Sequence, residues 1–200
     1  MVKARDKIVE IVDHLEKPGW SLTHEGDDCF MYELQIDEYP TKSLKRTVVI
    51  NVSLDKAKEF FKNHDNLQKI DKKIKHFEIT KELGAQTYLL YQIVEGNMVV
   101  SDRDMLLCSQ MVDMTDGSLF NINFSVEDES VPEKPLCVRS AVNHSIHISK
   151  RDENSINLTS FLNFDPKGSI PIMFINQVTG LQFDKYVYMK KYIEELEDSK

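Results

Sequence analysis

The segment Asp165-Pro166-Lys167-Gly168-Ser169-Ile170-Pro171 separates a strand-like run from a long stretch of helical spacing. Pro and Gly turn the chain there. One helix of roughly 27 residues follows, about 40 Å long at 1.5 Å per residue. Ile175, Val178, Gln182, Tyr186, Met189, Ile193 and Leu196 recur in steps of three and four, which places them on one face. Ile172, Met173, Phe174 and Leu181 widen that face at its N-terminal half. A helix as long as a small domain is wide has to lie across a sheet. It either packs flat on that sheet or covers a lumen.

The rest of the chain supplies the sheet. From Phe77 to Phe164 the runs 77–82, 86–94, 104–112, 118–126, 136–148 and 155–164 read as strands. Their joints carry turn chemistry: Leu83-Gly84-Ala85, Glu95-Gly96-Asn97, Asp116-Gly117 and Asp152-Glu153-Asn154. Connections this short favour antiparallel neighbours. Two earlier strands are centred on Phe30–Ile36 and Val48–Val52. Ala4, Ile8, Ile11, Val12 and Leu15 predict a helix over 3–16, stopped by Pro18-Gly19. Ser53 is placed to cap a helix through Phe61, and the lysine-rich stretch Leu67–His76 reads as a further helix. No repeat, low-complexity tract or linker divides the 200 residues, so the expectation is one domain over 1–200.

Composition narrows the function. A 41% hydrophobic content is enough for a real core, and no apolar run approaches the roughly 18 residues of a membrane span. The start, Met1-Val2-Lys3-Ala4-Arg5-Asp6, lacks a signal-peptide apolar region. Cys29, Cys108 and Cys137 show no metal spacing and read as reduced thiols, so the expected location is the cytoplasm. A formal net charge of -8 argues against a nucleic-acid partner. The six histidines form no HExxH, and there is no G-x-S-x-G elbow, P-loop or dinucleotide glycine pattern. His144 and His147 fall on opposite faces of one strand. No catalytic residue, metal or cofactor is therefore expected.

Four segments resemble the START domain family, the lipid-transfer domains related to the steroidogenic acute regulatory protein. Gly19-Trp20-Ser21-Leu22 with Phe30-Met31-Tyr32 resembles the family's opening strand pair. Asn97-Met98-Val99-Val100-Ser101-Asp102-Arg103-Asp104 resembles its glycine loop and Arg-Asp signature. Val131-Pro132-Glu133-Lys134 before Cys137-Val138-Arg139-Ser140 resembles the segment leading to its eighth strand. Asp165–Pro171 with Ile175-Asn176-Gln177-Val178 resembles its turn into the last helix. The resemblance implies an α+β helix-grip (START/Bet v 1-like) fold: a curved antiparallel sheet of about nine strands around a long C-terminal helix. The residues alone give eight strands, and the ninth is expected from the early region near Lys42–Arg46.

The resemblance also implies a hydrophobic tunnel holding one lipid, and a monomer that visits membranes transiently. Alternation puts Tyr88, Leu90, Gln92 and Val94 on one face of their strand, and Met105, Leu107, Ser109 and Met111 on one face of the next. Gln92 and Ser109 are polar groups in largely apolar rows. They either bond each other or water, lie outside, or meet a ligand head group. In sterol-binding members these positions carry a carboxylate and an arginine, so the missing charges leave phospholipid, sterol, ceramide and fatty acid all open. The expected lipid-binding residues are Tyr88, Leu90, Gln92, Met98, Arg103, Leu107, Ser109, Met111, Phe174 and Val178. Arg103 and Asp104 are first expected to fix the loop before their strand. The loop Glu95–Asp102 would close the tunnel mouth or touch a membrane through Met98, Val99 and Val100. Gly180 marks either tight packing or a soft point in the last helix. Lys69, Lys72, Lys73, Lys75 and His76 form the main basic cluster, read as a solvated helix face or a contact for anionic lipid. The other function classes are a lipid-gated interaction module and a hydrolase or cyclase working in the cavity.

Overall fold

Alternating strands joined by tight turns build one antiparallel sheet. The computed structural model describes residues 4–97, 100–168, 170 and 172–198. The order of elements is α1 (Ala4–Glu16), β1 (Ser21–Gly26), β2 (Cys29–Leu34), β3 (Ser43–Ile50), α2 (Leu54–Lys62), α3 (Asn66–Ile70), β4 (Ile74–Gly84) and β5 (Thr87–Val94). It continues with β6 (Asp102–Asp113), β7 (Leu119–Ser125), β8 (Cys137–Arg139), β9 (Ala141–Lys150), β10 (Ile156–Asp165) and α4 (Ile172–Asp198). The ten-stranded sheet runs β1-β2-β3-β10-β9-β7-β6-β5-β4, and the short β8 pairs parallel with β6. β10 is the last strand made, yet it sits in the middle and joins the N-terminal strands to the rest. Two hairpins turn on residue pairs with positive φ, Asp27-Asp28 (51° and 56°) and Ala85-Gln86 (32° and 55°). Left-handed backbone at both central positions matches the twist of paired strands.

The two faces of the sheet bury different things. On the outer face Phe161, Phe120, Ile122 and Phe124 pack against Ile11 of α1 and Ile36. On the inner face Val48, Ile50, Leu158, Ile148 and Leu119 pack against Tyr186, Met189 and Ile193 of α4 and Phe60 and Phe61 of α2. That inner cluster fills the half of the sheet under the C-terminal part of α4. α4 is 27 residues long, as its spacing predicts. Gln182, Tyr186, Met189 and Ile193 of the predicted stripe turn inward, but Leu196 is exposed. Ile175 and Val178 belong to a stretch whose side chains lie outside the description.

Strand boundaries depart from the sequence reading in three places. The extra strands come from β1 and from a break at Ser140, which splits the run 136–148, whereas β3 is continuous through Lys45 and Arg46. The stretch 67–76 is not one helix: α3 ends at Ile70 and Ile74 already starts β4. The basic cluster is therefore spread over a helix end, a turn and a strand. Lys75 pairs with Asp102 at 3.0 Å, Lys69 donates to Asn66 Oδ1, and Lys72 sits over the Tyr188 ring. Ser53 does precede α2 in extended conformation, but its hydroxyl makes no capping bond. All three cysteines are free thiols.

Candidate functional site

Pairing registers arrange the inner face into lateral rows. One row reads Phe164 and Val142, then Ser125, Leu107 and Leu90. With Met105, Phe77, Tyr88, Val94 and Leu162 it forms an apolar cluster separate from the filled one. The next row reads Leu162, His144, Asn123, Ser109 and Tyr88. The third reads Met31, Arg46, Ser160, Ile146, Asn121 and Met111. Its Ile146 and Met111 already belong to the filled cluster, which continues beyond it. The inner face is thus apolar at both ends, with a polar seam between.

Burial changes from row to row along the inner face. In the filled half Ile50, Leu158 and Ile148 are at most 1% exposed. Leu162, Phe164, His144, Asn123, Tyr88 and Gln92 also point inward, yet each keeps accessible surface. His144 shows what that surface faces. Burial, then the positive charges of Arg46 and Lys185, hold its pKa well below the ordinary 6.5. Its ring keeps some accessible surface and bonds the Tyr186 hydroxyl. Two open clefts lie elsewhere, one of about 290 Å³ beside Lys17 and Leu34–Glu38 and one of about 200 Å³ between α2 and Ile193.

The seam contains the least satisfied polar groups of the core. Arg46 is 1% exposed. Its Nη1 donates to Gln182 Oε1 at 3.2 Å, and its guanidinium stacks 4.2 Å from the centre of the Tyr186 ring. Among the described residues its Nε and Nη2 have no partner, and neither do the hydroxyls of Ser160 and Ser109. A buried ion costs several kcal/mol after relaxation. A desolvated cation–π contact returns about 2 kcal/mol and a charged hydrogen bond roughly 1.5–3 kcal/mol. The unpaired edge of the guanidinium remains uncompensated. His144 and Tyr186 meet at 3.3 Å between Nε2 and the hydroxyl, and Asn123 and Asn121 are bonded to each other.

The residues singled out by sequence fall as follows. Tyr88, Leu90, Gln92, Leu107, Ser109 and Met111 share the inner face. Met111 lies inside the filled cluster. Gln92 and Ser109 do not bond each other: Gln92 donates to Met105 Sδ at 3.5 Å, and Ser109 stands opposite Tyr88. Arg103 donates to the carbonyls of Ser101, Pro166 and Lys167, so it fastens the turn before α4 to the sheet. Asp104 points to the other face, where it holds Arg139. Met98 lies outside the described residues, as do the side chains of Phe174 and Val178. In the loop before β6, Gly96 N–H donates to Asp102 Oδ1 and Asn97 N–H to the Val100 carbonyl. A Cβ on Gly96 would sit 2.0 Å from that carbonyl, so only glycine fits. His144 faces inward, whereas His147 on the outer face meets Ser118. Arg46 was missed, although it alternates with Leu44, Val48 and Ile50, all inward-facing.

Neutral buried histidines make stability pH-dependent. Burial is the largest cause of the lowered pKa at His14, His64, His144 and His147. The unfolded chain therefore binds protons first as pH falls below about 6.5. Stability present above that value is lost as pH drops through it toward the lower folded values. Thermal melts at pH 7.5, 6.5 and 5.5 should show a falling midpoint, and a midpoint constant over that range would contradict the assignment.

Among the described residues no helix is long and apolar enough to cross a membrane, and no cluster of His, Cys, Asp and Glu is set to hold a metal. No curated protein sequence matches the chain. Solved structures share its fold. Human StAR-related lipid transfer protein 5 is 16% identical with a TM-score of 0.89, over 97% of this chain and 96% of that one. Human STARD10 is 17% identical with a TM-score of 0.86, over 99% and 82%. The Zhui aromatase/cyclase from a Streptomyces species is a more distant relative in shape, 10% identical with a TM-score of 0.55 over 78% and 93%. The sequence itself matches the model of the START domain over residues 13–190. A ten-stranded antiparallel sheet closed by one long C-terminal helix, read together with that match, establishes that the chain belongs to the START domain family.

Proposed function

We propose that the chain binds one lipid between the inner face of the sheet and α4, and carries it between membranes without chemical change. The observation that carries this reading is the uneven cover of the inner face. Leu162, Phe164, His144 and Tyr88 border accessible space, while one or two rows away the same face is filled. An aliphatic chain placed against Leu90, Leu107, Met105 and Val142 would recover about 0.8 kcal/mol per CH₂. A two-chain lipid of around 30 methylenes faces a gross cost near 24 kcal/mol to enter water. A dry space removes most of that barrier. The fold is shared with proteins named for lipid transfer, and the cyclase of the same shape sets the competing reading.

The test is native mass spectrometry of the purified chain with extraction of what it holds, followed by transfer between donor and acceptor vesicles. One lipid per chain and transfer well above the spontaneous rate are expected. An empty protein that does not accelerate transfer would sink the carrier reading. Turnover of the extracted molecule would replace it with catalysis, and ligand-dependent partner binding without transfer would replace it with a sensor.

Gly180 belongs to the same reading. A Cβ there would meet nothing within 4 Å, so tight packing does not explain the glycine. Gly180→Ala should stabilise the fold by up to about 1 kcal/mol, and slow lipid exchange with little change in affinity. Thermal melts and vesicle exchange rates check both, and an unchanged exchange rate would remove the hinge role.

A further inference from the structure

We propose that the polar seam is a head-group site for an acidic amphiphile, with the carboxylate or phosphate oxygens of the lipid seated on the free edge of Arg46. This rests on the carrier reading and names its substrate class. A guanidinium binds a carboxylate side-on through Nε and the Nη on the same edge, two parallel donors matched to two oxygens. Arg139 does this within the same chain: its Nε and Nη2 reach Asp104 Oδ1 and Oδ2 at 3.1 and 2.9 Å. In Arg46 the corresponding Nε and Nη2 are the two atoms without partners among the described residues. Its third nitrogen is already tied to Gln182, and Tyr186 supports its flat face, so the fork is held in place with its binding edge buried and unbonded.

The surroundings fit an anion and offer none. Ser160, the cross-strand neighbour of Arg46, is fully buried and its hydroxyl is unpartnered. His144 and Ser109 lie in the adjoining row of the same face, and Ser109 also has a free hydroxyl. Among the described residues no carboxylate pairs with Arg46. Met31, its neighbour on the other strand, is apolar. Directly beside the seam lies the apolar cluster of Leu162, Val142, Leu107 and Leu90, where a chain attached to the acidic group would run. A carboxylate or phosphate group beside a hydrocarbon tail matches this order. A sterol hydroxyl brings no charge to the edge.

The experiment incubates wild type and Arg46→Met with phosphatidylcholine vesicles containing matched pairs of lipids, oleate against oleyl alcohol and phosphatidate against diacylglycerol. Bound lipid is read by native mass spectrometry. Wild type should take up the acidic member of at least one pair ten-fold or more over its neutral match. Arg46→Met should lose that preference while still holding neutral lipid, and should melt higher than wild type when both are empty, because an unpaired buried charge has gone. Should Arg46→Met fail to fold, Arg46→Gln reads the same ratio. Equal uptake of acidic and neutral lipids, unaffected by the substitution, overturns the head-group assignment and leaves the carrier reading standing. No lipid retained by either protein overturns both. Inorganic phosphate alone, tested in parallel, should raise the melting temperature far less than phosphatidate. An equal rise would assign the edge to a free anion and overturn the lipid assignment.

Discussion

Asp104→Ala should cost about 3–5 kcal/mol of stability, the range for leaving one partner of a buried ion pair alone. Asp104 is fully buried. Arg139 grips both its oxygens, and the Tyr91 hydroxyl donates to Oδ2 at 3.1 Å. Burial, with the carboxylate alongside, pushes the Tyr91 hydroxyl pKa up, so that group stays a donor. The Asp104 backbone carbonyl accepts from Ser140 N–H, at the break between β8 and β9. Removing the carboxylate leaves Arg139 half-buried without its counter-charge, and β8 is then held to β6 by backbone pairing alone. Tyr91→Phe removes one hydrogen bond and should cost only about 1 kcal/mol. Urea unfolding of the two variants gives the comparison. A loss at Asp104→Ala no larger than that at Tyr91→Phe would show that the pair contributes nothing beyond hydrogen bonding.

Phe161→Ala should cost a similar 3–5 kcal/mol, for a different reason. Phe161 is fully buried on the outer face, where His14, Tyr39 and Trp20 surround its ring with centroids 5.8, 6.3 and 6.5 Å away. Its removal opens a cavity between β10 and α1, whose Ile11 then rests on Phe120, Ile122 and Phe124 of β7. Trp20 Nε1 donates to the His14 carbonyl, and Tyr39 donates to Glu10. Amide exchange should therefore show α1 losing protection first, while α4 on the opposite face keeps it. A loss below about 1 kcal/mol, or uniform loss of protection in both helices, would mean that α1 is anchored some other way.

The legible parts of this chain are those in which burial has a period. α4 announces itself because Tyr186, Met189 and Ile193 recur toward one buried surface. The central strands do so because their two faces meet different layers. β1 gave no such signal: Ser21-Leu22-Thr23-His24-Glu25-Gly26 is exposed almost throughout, so no alternation marks it. β4 is the other edge: 77–82 reads as a strand, but its start, Ile74–His76, reads as the end of a lysine-rich helix, and only pairing with β5 makes that start a strand. The site divides the same way. Tyr88, Leu90, Leu107 and Ser109 were found by alternation. Arg46 has the same alternation but reads as a surface charge, because a single sequence does not show that both neighbouring strands and α4 close over it.

Arg103 has a mechanical consequence. Its guanidinium ties the carbonyls of Pro166 and Lys167 to the start of β6. The chain thus enters α4 from a fixed pivot, while Met189 and Ile193 are embedded at the far end. Held at both ends, the long rod resists rising off the sheet as a rigid plank. On the proposed carrier reading, a guest would pass by bowing of the span between those two moorings.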